Sequence, residues 1–331
     1  MTPIANTFAL PAFCRRLVEI ESADHLRALL PELAGEPLLK VGAGSNLVFI
    51  TDWPGTVLHS AISDITFLPD GTVRAGSGVV MDHLAALTAE RGLWGLENLS
   101  GIPGEVGASA VQNVGAYGVE AADRIVSVEA VDLVTSETRS FSVDECGYGY
   151  RDSIFKHSPA KERYFITHVT YRLSSEPSPV LSYPALRDAF EGKMPQSPEE
   201  VRSTIIAIRD SKLPSPDEVP SAGSFFKNPV VDAAAFERVV ALHPDIRVPR
   251  YPLADGSVKI PAAFLIEQCG WKGYDNGRVA VWHKQPLVLT NPCRQASGAD
   301  VLDLETRIIA SVAARYGITL SPEAEHIDAS C

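Results

Sequence analysis

Residues 95–118, GLENLSGIPGEVGASAVQNVGAYG, are the most informative part of the chain. Its glycines and Pro103 leave no room for a long helix or strand, because both residue types interrupt regular structure. Glycine also lets a backbone approach a flat ring or a pyrophosphate without a side-chain clash. Ser109, Gln112 and Asn113 can hydrogen-bond polar edges. The stretch therefore predicts a ligand-binding loop, with an elaborate structural loop as the alternative.

A second loop of small residues lies upstream, at Val41-Gly-Ala-Gly-Ser-Asn46. It follows a short apolar run, 38–41, that predicts a strand, so its backbone amides could face a phosphate. It is not a Walker A loop, because no Gly-Lys-Ser/Thr follows. Leu47 stands where the dinucleotide fingerprint needs its third glycine. From this motif alone, a phosphate loop and a tight turn after a strand both stay open.

Downstream motifs carry three further candidate groups. Arg151, in GYRDSIFK, can hold a carboxylate or stabilise a developing anion, although a surface ion pair with Asp152 is the simpler interpretation. Ser224, in SAGSFFKNP, can donate a proton or cap a turn. No GxSxG elbow surrounds Ser224, so acyl transfer is not predicted. The acids of SPEAEH, residues 321–326, would ordinarily be solvated.

Hydrophobic periodicity predicts a mixture of helices and strands. Apolar residues at helical spacing predict helices at 23–33, 199–212 and 300–316. Ser297 with Asp300 forms a capping pair before the last of these helices, and Gly317 a stop after it. Runs rich in β-branched and aromatic residues predict strands at 126–134, 138–143 and 165–173.

Composition excludes several classes of function. The chain has 331 residues and a formal net charge of −12, which argues against a nucleic-acid partner. Its 5 cysteines contain no CxxC pair and its 8 histidines show no ligand spacing, so neither a disulfide framework nor a metal is expected. No apolar run reaches the roughly 18 residues of a membrane span, and residues 1–16 lack a secretory pattern. We expect a cytoplasmic monomer.

Taken in order along one chain, the motifs resemble those of the UDP-N-acetylenolpyruvoylglucosamine reductases, the MurB family. The resemblance extends from Gly42 to Glu323, and LSYPAL at 181–186 resembles the substrate loop of the family's type I branch. The motifs that carry it are GAGSNLVF (42–49), the stretch 95–118, GYRDSIFK (149–156), KLPSP (212–216), SAGSFFKNP (221–229), IEQCGWKG (266–273) and SPEAE (321–325).

The resemblance implies an α+β (mixed α/β) fold in three parts. Residues 1–61 and 62–212 would form the two subdomains of a vanillyl-alcohol-oxidase-type (PCMH-type) FAD-binding module. The tail, 324–331, would return to the first subdomain. Residues 213–323 would form a C-terminal α+β domain that binds a UDP-sugar.

The resemblance also implies a reaction, the NADPH-dependent reduction of UDP-N-acetylglucosamine enolpyruvate to UDP-N-acetylmuramate in peptidoglycan synthesis. In its two half-reactions, tightly but non-covalently bound FAD takes hydride from NADPH and passes it from N5 to the enolpyruvyl group. Ser224 would then protonate the adjacent carbon, and Arg151 would pair with the substrate carboxylate. Glu323 would polarise that carboxylate in its protonated form, which burial would favour.

Further residues match the family's binding positions. The expected FAD contacts are Gly42, Gly44, Ser45, Asn46, Gly104, Gly107, Ser109, Asn113, Gly115, Tyr117 and Gly118, with Arg209 at the pyrophosphate. The expected uridine diphosphate contacts are Tyr183, Lys212, Asn228 and Gln268. One position departs from the family pattern, because Glu325 stands where a basic residue is common; this affects one flavin or structural contact and no catalytic residue.

Two other functions, an oxidase and a non-catalytic regulator, are compatible with parts of the sequence. An oxidase of the same fold would share the FAD loops but would not need the Ser224 and Glu323 motifs. A non-catalytic regulator that binds flavin or nucleotide-sugar would be expected to lose Ser224 or Arg151, and both are present.

Overall fold

The computed structural model describes residues 1–329. The periodic apolar residues near the C-terminus form the helix Gly298–Tyr316, which buries Val301, Leu304 and Ile308. The Ser297 side chain accepts from the Asp300 N–H while Asp300 accepts from the Ser297 N–H, a reciprocal capping box. Gly317 ends the helix with a φ of 65°, a left-handed conformation that suits glycine. The predicted cap and stop are confirmed.

The regular elements are as follows. The helices are α1 Ala23–Leu33, α2 Met81–Glu90, α3 Val106–Gln112, α4 Ala160–Arg163, α5 Pro184–Ala189, α6 Pro198–Lys212, α7 Ala233–Leu242, α8 Ala262–Gln268 and α9 Gly298–Tyr316. The strands are β1 Thr2–Pro3, β2 Phe13–Ile20, β3 Leu38–Lys40, β4 Leu47–Phe49, β5 Trp53–Ser60, β6 Ile65–Phe67, β7 Thr72–Gly76, β8 Gly115–Ala116, β9 Val119–Glu120, β10 Ile125–Asp132, β11 Thr138–Ser142, β12 Tyr164–Arg172, β13 Ser221–Ser224, β14 Val230–Val231, β15 Tyr251–Pro252, β16 Val258–Lys259, β17 Ala280–Val281, β18 Val288–Thr290 and β19 Glu325–Ile327. Short 3₁₀ turns occupy Glu97–Leu99, Ala121–Asp123 and Ile154–Lys156.

The described chain forms two compact units, and neither is continuous in sequence. The first unit contains Met1–Thr2, Cys14–Ala43 and Trp53–Ser211. The second contains Pro3–Phe13, Gly44–Asp52 and the described residues from Lys212 onward. The three-part division expected from the sequence stays a prediction. Residues 330–331 of the predicted tail lie outside the described residues.

Two sheets form the first unit. One has the order β1-β2-β5-β3, with β2 and β3 both parallel to β5. The other is antiparallel in the order β11-β10-β12-β7-β6. Leu84 of α2 and Val106 of α3 are buried in one core with Val169 and Tyr171 of β12. This packing lays the glycine-rich stretch directly on the antiparallel sheet.

The second unit is built around α9. It contains the antiparallel sheets β13-β18-β17 and β14-β16-β15, and the parallel pair of β4 with β19. Its core includes Leu304 and Ile308 of α9 together with Phe225 and Phe226, which follow β13. In the parallel pair, Glu325 lies opposite Leu47, so the C-terminal strand joins the segment that directly follows the loop 42–46.

Most predicted elements lie within two residues of the observed ones, and the long helices and strands named from the sequence are all present. The stretch 95–118 differs from expectation, because it contains the seven-residue helix α3 rather than loop alone. Within residues 1–329, no helix is both long enough and apolar enough to cross a bilayer. No group of three or more His, Cys, Asp or Glu side chains in the same range has the arrangement of a metal site.

Candidate active site

The glycines around α3 allow close packing of the backbone. A Cβ on Gly107 would stand 2.7 Å from the Cβ of Ser77, and the Gly107 N–H donates to the Ser77 carbonyl at 2.9 Å. Gly104, with a φ of 127°, accepts from the N–H of Met81 at 2.9 Å. These two glycines therefore anchor α3, and their contact with FAD stays a prediction.

Two predicted cofactor residues have side chains that are engaged inside the first unit. Ser109 is buried, and its Oγ donates to a carbonyl of its own helix at 2.7 Å. Asn113 is 1% exposed, and its amide donates to Glu120 at 2.8 Å and to the Gly149 carbonyl at 2.9 Å. A cofactor contact by Ser109 or Asn113 would have to use other atoms of these residues. Their assignment to FAD stays a prediction.

Arg151 occupies the third position of the tight turn 149–152. The Gly149 and Asp152 N–H groups each donate to the other residue's carbonyl at 3.1 Å, which closes the turn. Arg151 takes a φ of 55°, a left-handed conformation that costs a non-glycine residue on the order of 1 kcal/mol. The Asp152 carboxylate pairs with His157 at 2.7 Å. An arginine at a position that favours glycine indicates that its side chain is needed there.

Side-chain contacts hold this turn against the end of α3. The Arg151 guanidinium donates to the Gly115 carbonyl and lies 5.4 Å from the centre of the Tyr150 ring. A Cβ on Gly115 would stand 2.9 Å from Arg151 Nη1, so glycine is needed for this approach. Lys156 Nζ donates to the Arg151 carbonyl at 3.1 Å and to Gln112 Oε1 at 2.7 Å. The Arg151 turn and the glycine-rich stretch therefore form one connected structure.

Arg209 brings a positive charge to the same stretch. Its Nε lies 2.9 Å from the position of a Cβ on Gly101, and its side chain hydrogen-bonds Tyr117. Burial lowers the pKa of the Arg209 guanidinium. Asp82 pairs with Arg202, and Arg209 makes no salt bridge within the described part of the chain. A half-buried cation of this kind is suited to an anionic ligand.

Tyr183 is tied to the glycine-rich stretch. Its ring is 41% exposed and meets the ring of Tyr117 edge-on, with centroids 5.0 Å apart. The Asn98 amide donates to the carbonyls of Tyr117 and Val180 at 2.8 and 2.9 Å. Gly118, with a φ of 88°, leaves room for the segment that precedes Tyr183. The structure thus brings Tyr117, Gly118, Tyr183 and Arg209 together in the first unit.

Ser224 lies at an irregularity of the second unit's central sheet. The register between β13 and β18 shifts between Ser221 and Ser224, and Gly223 takes a φ of 68°. Such a bulge redirects the strand, and Ser224 is exposed. Phe225, the next residue, is fully buried and its N–H donates to the Leu287 carbonyl at 2.7 Å. The hydroxyl is therefore presented from a firmly held strand end, and not from a helix cap.

Backbone hydrogen bonds bring the Glu323 segment to the Ser224 segment. Phe226 and Pro322 form an antiparallel bridge, and the Glu323 N–H donates to the Phe225 carbonyl at 2.8 Å. Asn46 supports this arrangement, because its amide donates to the Glu323 carbonyl at 3.1 Å and its carbonyl accepts from the Glu325 N–H at 2.8 Å. Glu323 is half-buried rather than fully solvated. Asn46 thus positions Glu323, and its predicted contact with the cofactor stays a prediction.

The other predicted substrate contacts of the second unit lie at element ends. The exposed Lys212 ends α6, and its carbonyl accepts from Trp282 Nε1 at 3.0 Å. Asn228 Oδ1 accepts from the Ala262 N–H at 2.9 Å, at the start of α8. Gln268 ends α8, and its carbonyl accepts from the Arg315 guanidinium. Their contacts with a substrate stay predictions.

The loop 42–46 begins in the first unit and ends in the second. Gly44 takes a φ of 65°, and a Cβ there would stand 2.5 Å from the Ala5 carbonyl oxygen, so glycine is required. Ser45 follows it directly. The backbone N–H groups of Gly42 and Ala43 have no hydrogen-bond partner among the residues described. The loop keeps amides available for an anion, as the phosphate interpretation expects.

Two residues that hold the site in place are not predicted from the sequence. Lys156 lies in GYRDSIFK and Asn98 in the stretch 95–118, and neither motif assigns them a role. A lysine five residues after Arg151 carries no local signal, because its partners Gln112 and the Arg151 carbonyl are brought together only by folding. The only sequence signal for Lys156 and Asn98 is that both lie inside motifs that carry the family resemblance.

The residues of the first unit fit FAD. Its diphosphate requires cations and backbone N–H groups, and its flat ring requires close backbone approach. Arg209 supplies a half-buried guanidinium without a salt bridge in the described range, and Gly42 and Ala43 supply the N–H groups. The glycine-rich stretch supplies the surface with few side chains.

Comparisons with known proteins agree with this arrangement. Residues 14–142 match the model of an FAD binding domain, and residues 215–327 match that of the UDP-N-acetylenolpyruvoylglucosamine reductase C-terminal domain. A UDP-N-acetylenolpyruvoylglucosamine reductase of Bacteroides fragilis (strain YCH46) is 45% identical over 327 residues, 97% of each chain. One of Azoarcus sp. (strain BH72) is 45% identical over 96% of this chain and 94% of its own.

The crystal structure of the reductase (MurB) from Thermus caldophilus shares the fold, with a TM-score of 0.69 at 24% identity over 99% of this chain and 98% of its own. Fold, site and FAD-domain match define an FAD-binding oxidoreductase. Its identity to full-length relatives shows that the chain belongs to the UDP-N-acetylenolpyruvoylglucosamine reductase family. The predicted α+β fold and FAD-binding module are confirmed.

Proposed function

We propose that this chain reduces UDP-N-acetylenolpyruvoylglucosamine, the compound named in its relatives, to UDP-N-acetylmuramate for peptidoglycan synthesis. NADPH is the reductant, and FAD is the bound redox group. The observation that carries the proposal is the backbone pairing of the Ser224 and Glu323 segments within the region that matches the reductase C-terminal domain. The same chain supplies an FAD-binding domain.

Each candidate catalytic residue has a defined task in this reaction. Bound FAD supplies the two electrons that reduce the enolpyruvyl double bond. Ser224 Oγ–H donates a proton to the carbon next to the carboxylate and is reprotonated from water. The Arg151 guanidinium pairs with that carboxylate and stabilises the negative charge that develops on it. Glu323 polarises the same carboxylate.

Ser224 suits its task because its hydroxyl is exposed while its strand is fixed. A hydroxyl is a weak acid, so transfer of its proton requires a strongly basic acceptor at a well-defined position. The buried Phe225 and Phe226 and the ladder to the Glu323 segment supply that position. An oxidase would have no use for a proton donor held in this way.

The binding contacts belong to the same proposal. Arg209 neutralises part of the FAD diphosphate, and the loop 42–46 contributes backbone N–H groups. Lys212 supplies charge for the diphosphate of the sugar nucleotide, and Tyr183, Asn228 and Gln268 supply the remaining substrate contacts. The protein acts as a monomer in the cytoplasm, with residues 1–61 and 62–212 as the FAD-binding module and residues 213–323 as the substrate domain.

The direct test is an anaerobic stopped-flow experiment on the flavin absorbance of the purified protein. We expect NADPH to bleach the band and the enolpyruvyl UDP-sugar to restore it. Recovery only on admission of air would show an oxidase instead. A colourless protein that cannot be reconstituted with FAD would refute the proposal.

A further inference from the structure

His59 bridges two carboxylates in the first unit. On β5, its Nδ1 lies 2.7 Å from Glu19 Oε2 and its Nε2 lies 2.8 Å from Glu105 Oε1. Both ring nitrogens can donate to carboxylates only when the ring is protonated, so this geometry favours an imidazolium. The hydrogen bond that His59 donates to Glu105, with a further contribution from Glu19, raises the pKa of His59 from 6.5 to about 9.

Glu105 connects this histidine to both predicted FAD segments. It directly precedes α3 in the glycine-rich stretch, and it is 8% exposed. Its second oxygen, Oε2, lies 3.0 Å from the position of a Cβ on Gly42. A buried carboxylate therefore lies against a residue whose N–H has no partner in the described chain.

An uncompensated carboxylate at this place would repel an anionic ligand. Two charges a few ångströms apart near a protein surface interact strongly, although solvent screening reduces this energy. The sign of the local charge therefore matters for phosphate binding. The His59 imidazolium reduces that repulsion, and its hydrogen bond to Oε1 also restricts the Glu105 side chain to this rotamer.

We propose that His59 is a positioning residue for the cofactor, which offsets the charge of Glu105 and fixes its side chain so that the loop 42–46 can receive the anionic part of FAD. The inference rests on the FAD binding proposed above. Its chemistry is a charge balance between His59 and Glu105, and neither residue takes part in electron or proton transfer.

The sign of the pH effect follows from this balance. The pKa of His59 in the folded protein lies above its ordinary value. The interaction of His59 with Glu105 therefore stabilises the fold fully below about pH 6.5, and this stabilisation is lost as pH rises through about 9. Glu19 from β2 and Glu105 are the charged groups that act on His59. Flavin affinity should therefore fall in alkaline solution.

The experiment measures FAD affinity of the apoprotein by flavin fluorescence for the parent, His59→Gln, Glu105→Gln and the double variant. We expect His59→Gln to bind FAD about tenfold more weakly near neutral pH, because glutamine offers Glu105 no compensating positive charge. Adding Glu105→Gln should restore most of the affinity. Glu19→Gln, which removes the half-exposed outer carboxylate, should change the affinity by less than about twofold.

Measuring FAD affinity as a function of pH tests the inference without requiring any histidine variant to fold. Between about pH 7.5 and 10, the parent should lose about tenfold in affinity and Glu105→Gln should lose much less, since titration of the flavin itself affects both alike. A double variant as weak as His59→Gln, or equal pH dependence in the parent and Glu105→Gln, would overturn the inference. A parent that binds no FAD at any pH would overturn the proposed function as well, which separates the two failures.

Discussion

Arg151 and Ser224 both depend on a left-handed backbone position, but the two regions place it on different residues. In the turn 149–152, Arg151 itself takes a φ of 55°. In the strand that presents Ser224, the preceding Gly223 takes a φ of 68°, which costs glycine little. Arg151 itself adopts a conformation that is unfavourable for a non-glycine residue. Ser224 does not, because the glycine before it adopts the left-handed conformation.

The two regions also differ in what holds them. Hydrogen bonds of Arg151, Lys156 and Asn113 side chains fix the Arg151 turn. Main-chain hydrogen bonds fix the segment of Ser224, and the next two residues, Phe225 and Phe226, are at most 1% exposed. Substitutions near Arg151 should therefore change activity more than stability. Near Ser224, the backbone should tolerate loss of the hydroxyl without change in structure.

The largest effect is expected for Ser224→Ala. The substitution removes the proposed proton donor, so reoxidation of the flavin by the UDP-sugar should slow by about a thousandfold, while reduction by NADPH stays unchanged. Single-turnover stopped-flow absorbance separates the two steps. Ser257→Ala, in the turn between β15 and β16, is the matched control. Equal loss in both half-reactions would contradict the assigned role of Ser224.

Arg151→Gly should separate activity from stability. The half-reaction with the UDP-sugar should slow by about a hundredfold because the carboxylate loses its cation. The free energy of unfolding should stay within about 1 kcal/mol of the parent, since glycine relieves the left-handed position while the guanidinium contacts are lost. Urea denaturation measures the second quantity. A severe loss of stability would show that the arginine is structural.

Lys156→Met should have a smaller effect on the same half-reaction. It removes the hydrogen bonds to the Arg151 carbonyl and Gln112, and we expect about a tenfold loss in kcat/KM for the UDP-sugar with NADPH kinetics unchanged. His157→Gln is the control, because it alters the exposed pair with Asp152 at the same turn. If both variants lose activity alike, the turn as a whole and not the lysine is responsible.

Gly223→Ala tests the left-handed position in the strand that presents Ser224, and it should have the smallest effect. A Cβ there meets nothing within 4 Å, so only the backbone conformation is penalised. We expect a loss of about 1 kcal/mol in the free energy of unfolding by urea denaturation. An unchanged stability would mean that alanine relaxes the bulge, and the difference between the two regions would then be smaller than inferred.

Local patterns predicted the elements well where the physical signal is local. The capping box at Ser297 and the stop at Gly317 depend on residues within a turn of each other, and both were predicted. The helix α3 was not, because Gly107 lowers helix propensity and its packing on Ser77 compensates only in the folded chain. Ser109 and Asn113 were named as ligand residues since their polarity was visible and their internal partners were not.

The family, the class of fold and the residues proposed for chemistry follow from the sequence, since ordered motifs carry them. The alternation of the chain between two units, and the pairing of Glu325–Ile327 with Leu47–Phe49, are visible only in the folded chain. The same is true of the hydrogen bond from Asn46 to Glu323 and of the position of His59 between two carboxylates. Each of these contacts joins residues far apart in sequence, where no local periodicity or propensity specifies the partner.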